Sequence, residues 1–144
     1  MFGQLLSRLT ADQPAPLGAE DVQLSLAALL VRVAKSDGSY DAAEIALIDG
    51  VLCDRFDLTP TAAGELRAQA EVMETEAPDT VRFTRAIKEA VPYEDRFGIV
   101  KTLWSVALAD GSRDHEEDAL LRLLANLLGV NDRDSAIARR EAAG

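Results

Sequence analysis

The chain has 144 residues, enough for about one domain with a single sizeable core, and its 48% apolar and 28% charged content is ordinary for a globular protein. A net charge of -10 argues against nucleic acid and acidic membrane surfaces, which are bound chiefly through Lys and Arg, and favours cations or basic patches on other proteins. A single cysteine, Cys53, permits no internal disulfide, no apolar run is long enough to span a membrane, and Met1–Leu9 lacks the pattern of a secretory signal, so the expected location is the cytoplasm.

Residues 1–20 read as a short amphipathic helix and a linker, with the domain proper over 21–144. Phe2, Leu5, Leu6 and Leu9 fall on one face at helical spacing, and Pro14, Pro16 and Gly18 then prevent the helix from continuing. That face is expected to fold back on the body or to dock elsewhere. The spacing of Val22, Leu26, Leu29, Leu30 and Val33 predicts a first helix from about Asp21 to Ser36, widened by Leu24 and Val31 and therefore central, with Gly38 placed to stop it. A second helix is expected over about Ala42 to Phe56, with Asp41 as N-cap, Glu44 at the third helical position and Ile45, Ile48, Leu52 and Phe56 inward. The short link makes these two helices antiparallel neighbours.

Thr59-Pro60 announces a third helix, to about Glu74, burying Ala63, Leu66, Ala70 and Met73. A fourth, about Asp79 to Val91, turns Val81, Ile87 and Val91 inward beside Phe83 and is ended by Pro92. A fifth, about Tyr93 to Ala109, has Phe97, Val100, Leu103, Trp104 and Ala107 on one face. A sixth, about His115 to Leu128, has Leu120, Leu123, Leu124, Leu127 and Leu128, and Gly129 closes it. Asn131 is expected to cap a last short helix with Ile137 inward, before a frayed tail. No alternating run bounded by turns appears, so no strand is predicted and the fold class is all-α, a single domain of about seven helices.

One pattern occurs twice. Asp37-Gly38-Ser39-Tyr40-Asp41-Ala42-Ala43-Glu44 returns as Asp110-Gly111-Ser112-Arg113-Asp114-His115-Glu116-Glu117, an offset of 110 − 37 = 73 residues. Both read D-G-S-x-D-x-x-E, and each closes one apolar helical run and opens another. Downstream, Asp54–Leu58 matches Asn126–Val130 at an offset of 72, one residue having been gained or lost within the second helices. Two helical hairpins separated by a helical pair are therefore expected.

The repeated acids admit two readings. Asp37, Asp41, Glu44, Asp110, Asp114 and Glu117 can supply the oxygen ligands that a hard divalent cation such as Ca²⁺ or Mg²⁺ requires; if the two turns meet, their carboxylates repel one another without a cation. The Asp-Gly to Glu spacing equals that of the back half of an EF-hand loop, but that loop's first and third ligand positions fall on Val33 and Lys35, and on Val106 and Leu108, so these are not EF-hands. The other reading is capping alone. It accounts for Asp41, Glu44, Asp114 and Glu117, and less well for Asp37 and Asp110, which stand at the negative ends of helix dipoles.

Ala34-Lys35-Ser36-Asp37-Gly38 with Glu44, and Ala107-Leu108-Ala109-Asp110-Gly111 with Glu117, are similar to the hallmark of tellurite-resistance TerB-like domains, over about residues 22–135. The resemblance implies an all-helical fold, a pseudo-symmetric pair of hairpins and acidic residues proposed to bind metal. It also implies a link to tellurite or chemical-stress responses, often within larger membrane-associated assemblies. Other proteins are the implied partners, and homo-oligomers stay open.

Catalytic machinery is not legible. His115 is expected to be an exposed helix-start residue, zinc would want several Cys or His, Cys53 has no histidine to activate it, and Trp104 is expected in the core. No phosphate-binding loop, dinucleotide fingerprint or serine elbow is present. The expected function is non-catalytic cation binding in a stress response; the alternative is a helical interaction module whose acids only cap helices. A metal-dependent hydrolase would need a convergent apolar pocket beside the acids.

Overall fold

The computed structural model describes the backbone of residues 19–36, 38, 40–77, 80–109 and 115–144, and the side chains of these except 19–21 and 115–117. The expected N-terminal helix, with Phe2, Leu5, Leu6 and Leu9, lies outside the described residues. Within them the chain forms seven helices: α1 (Ala19–Lys35), α2 (Ala42–Phe56), α3 (Pro60–Glu76), α4 (Val81–Ala90), α5 (Tyr93–Ala109), α6 (His115–Leu127) and α7 (Asp132–Ala143). The fold is all-α, and the expected bounds of α2 and α5 hold to the residue.

α1 is the axis of the domain. Every residue from Ser25 to Val31 is buried, which a helix with one apolar stripe cannot achieve. It packs against α2, α3, α4, α5 and α6. α5 packs most closely on α7, where Trp104 Nε1 donates to Ser135 Oγ at 3.1 Å and the Arg139 guanidinium lies 4.9 Å from the indole centroid. Leu26, Leu30, Ile48, Leu52, Phe83, Ile87, Leu103, Leu121, Leu124 and Leu128 join these elements in one core.

Three expectations about inward faces need correction. Val81 and Leu123 are exposed, and the inward positions of α6 are Leu121, Leu124 and Ala125, with Leu128 buried in the turn just after it. The leucine-rich sequence of α6 offers two overlapping stripes, and packing selects the one containing Leu121. Val81 sits in the first turn of α4, with Phe83, Thr84 and Ile87 forming its buried side. α7 is neither short nor frayed: it continues to Ala143, with Ser135 and Ala138 buried and Ile137 only half-buried, because α5 approaches its small-residue face.

Two helix junctions share one geometry. After α2, Asp57 takes a left-handed conformation (φ 54°) and Leu58 N–H donates back to Cys53 O at 3.1 Å. After α6, Gly129 is left-handed (φ 78°) and Val130 N–H donates to Ala125 O at 2.9 Å. Both are Schellman closures, which satisfy carbonyls at the end of a helix. The next residue caps the following helix in each case: Thr59 Oγ1 accepts from Ala62 N–H at 3.1 Å, and Asn131 Oδ1 from Asp134 N–H at 2.8 Å.

Candidate functional site

The turn between α1 and α2 is built as its sequence demands. Ser36 and Gly38 donate their N–H groups to Val33 O (3.1 Å) and Lys35 O (3.0 Å), and Gly38 has φ +85°, a conformation that costs glycine nothing. Asp41 (φ −101°, ψ 178°) is the N-cap of α2, its Oδ1 accepting from Glu44 N–H at 3.0 Å. Asp41 is exposed and Glu44 half-buried on the first turn of the helix. One carboxylate oxygen of Asp41 is thus engaged by the backbone, and a carboxylate has further lone pairs with which to accept or ligate.

The remaining candidates are placed only in part. Asp37, Asp110 and Asp114 lie outside the described residues; Glu117 has its backbone in α6 but its side chain outside them. His115 likewise opens α6. Among the described residues no three His, Cys, Asp or Glu side chains are arranged to hold a metal, a set that contains only Asp41 and Glu44 of the six candidates. Their donors are hard oxygens, the chemistry that Ca²⁺ and Mg²⁺ select.

Sequence reasoning missed the buttress behind this turn. Tyr40 Oη donates to Glu71 Oε2 at 2.7 Å, and Glu71 also receives Arg67 Nη1 at 3.1 Å. Arg67 Nε donates to Asp49 Oδ1 at 2.6 Å, which ties α3 to α2. On the α1 side, buried Glu74 lies 3.4 Å from Lys35 Nζ and 3.8 Å from Arg32 Nε, and Lys35 also stands 5.8 Å from the Tyr40 ring centroid. Burial, and then the hydrogen bond to Glu71, push the Tyr40 phenol well above its ordinary range. The Asp49 hydrogen bond, outweighing burial, holds the Arg67 guanidinium still more firmly charged. Only the Arg67–Glu71 pair, four residues apart on one helix, left a readable trace in the sequence. Cys53 is half-buried, and Trp104 is buried in the core, as expected.

The family model for the tellurite resistance protein TerB matches residues 23–140, which takes in all of this turn and nearly all of the helical domain. The chain belongs to the TerB family. No curated protein and no solved structure matches it. Within this TerB-family fold, the first acidic turn is held by a network spanning α1, α2 and α3, and the residue bearing that network's phenol, Tyr40, is replaced by Arg113 in the second copy of the motif. Among the described residues no helix is long and apolar enough to cross a membrane.

Proposed function

We propose that this TerB-family protein is a non-catalytic, cytoplasmic binder of a divalent cation, Ca²⁺ or Mg²⁺, acting in a tellurite or chemical-stress response. Asp37, Asp41 and Glu44 of the first turn and Asp110, Asp114 and Glu117 of the second supply the ligands. The two copies of the motif are read as one duplicated hairpin, a reading supported by the matched Schellman closures and caps that follow 72 residues apart. The observation that carries the proposal is the first turn. Gly38, left-handed, reverses the chain directly after Asp37, while Asp41 and Glu44 begin the next helix with the Asp41 carboxylate exposed. The basic residues bordering that turn are engaged by other acids, Lys35 by Glu74 and Arg67 by Asp49 and Glu71. A cation would relieve repulsion among the turn's carboxylates and stiffen both turns, altering a surface that a protein partner reads.

The test is thermal melting. Millimolar Ca²⁺ or Mg²⁺ should raise the melting temperature over that in EDTA, and the rise should vanish when Asp37→Asn and Asp110→Asn are combined. Equal melting curves with and without cation would contradict the proposal.

One observation favours a second reading. The Asp41 cap at 3.0 Å is what a helical interaction module with purely structural acids would also contain. Asp41→Asn separates the two: asparagine caps as well as aspartate but brings no charge. Cation binding predicts a weaker response in that variant, and capping alone predicts no change.

A further inference from the structure

An open groove of about 710 Å³ runs beside the start of α1, lined by Leu24, Gln69, Val72, Met73, Glu76 and Arg82 among others. Its walls are mainly apolar. Val72 is 59% exposed on α3, and Leu24 and Met73, which line the same groove, are half-buried. Large apolar side chains gathered on one face of a small domain mark a surface that something covers.

The position of the groove indicates what. Leu24 lies five residues beyond Ala19, roughly 7.5 Å of helix rise, and residues 1–18 lead directly into that helix. They carry Phe2, Leu5, Leu6 and Leu9 at the spacing of one helical face, with Arg8 the one charge among residues 2–9. Residues 10–18, between Leu9 and Ala19, span at most about 30 Å when extended, ample to return along the groove. Two prolines and a glycine in that stretch suit a turn.

We propose that residues 2–9 of the same chain seat Phe2, Leu5, Leu6 and Leu9 in the groove formed by α1, α3 and α4. A segment tethered this closely binds at high effective concentration, so modest contacts suffice. The inference is independent of the acidic turns, and a failed cation titration leaves it standing.

Disulfide trapping tests it in the full-length chain with Cys53→Ser. Leu5→Cys paired with Val72→Cys should oxidise to an intramolecular bond at least tenfold faster than Leu5→Cys paired with Leu123→Cys, which places the second thiol at an exposed site on α6. Equal rates would overturn the proposal, and so would a cross-linked dimer as the main product, because the segment would then serve a second copy. A double-mutant cycle checks the same contact without new thiols. Val72→Asp should lower the melting temperature, and at least half of that loss should disappear in the Leu5→Asp, Leu6→Asp background; full additivity would contradict docking.

Discussion

α1 and α5 lead into the two copies of the acidic pattern, and residues 73 apart along them can be compared directly. Leu26, Ala27, Leu30, Val31, Val33 and Ala34 are buried, and so are Ile99, Val100, Leu103, Trp104, Val106 and Ala107. The two helices part company at Ser25, Ala28 and Leu29, which are buried, against half-buried Gly98, Lys101 and Thr102. α4 explains the difference. It has no counterpart after the second copy, and it packs much more on α1 than on α5. One amphipathic pattern thus yields a central helix where an extra helix covers it, and a helix with a wet side where none does. On that wet side Lys101 pairs with Glu141 at 3.4 Å and Thr102 Oγ1 donates to Gly98 O at 2.9 Å.

The largest expected effects lie at the matched and mismatched core positions. Leu30→Ala and Leu103→Ala should each cost about 3 kcal/mol in chemical denaturation, and Leu29→Ala about as much. Thr102→Ala should cost less than about 1 kcal/mol. A Thr102→Ala loss equal to that of Leu29→Ala would show that α5 is as enclosed as α1.

The two Schellman closures come next. Gly129→Ala places a Cβ 2.8 Å from Arg96 Nη1, at φ +78°, and displaces a guanidinium that donates to Leu128 O at 2.9 Å. It should cost about 2 kcal/mol, from left-handed strain and the lost contact together. Asp57 is exposed and already left-handed, so Asp57→Gly should stay within about 0.5 kcal/mol of the parent. The caps follow: Thr59→Ala and Asn131→Ala should each cost about 1 kcal/mol, as should Asp41→Ala in EDTA.

The smallest effect separates the two turns by pH. Tyr40 has its pKa raised by burial and by Glu71, so the folded state binds the phenolic proton more tightly than the unfolded chain. That contribution is complete below about pH 10 and is lost as the pH rises further. Tyr40→Phe should therefore flatten the decline of stability in alkaline denaturation. The same substitution at Arg113 removes no phenol and should leave the slope unchanged.

Local chemistry explains which parts were legible in the sequence. Thr59-Pro60, Asn131 and Asp41 are caps written in adjacent residues, and the α2 and α5 boundaries followed from them and from Pro92. Leu123 and Ile137 read as inward because α6 and α7 each carry competing stripes, which only the neighbouring helix resolves. The buttress of Tyr40, Asp49, Arg67 and Glu71 draws on α2, α3 and the turn, with partners up to 31 residues apart, and no periodicity records such a meeting. Of the six acidic candidates, the sequence placed Asp41 and Glu44 at the opening of α2, where the fold has them.

Calorimetric titration of the full chain with Ca²⁺ and Mg²⁺ tests the central claim most directly. Cation binding at the duplicated turns predicts a saturable heat in the parent that is abolished by Asp37→Asn with Asp110→Asn, while the folded helical content stays unchanged. A parent that gives only the heat of dilution, or a double variant that binds as the parent does, would contradict it.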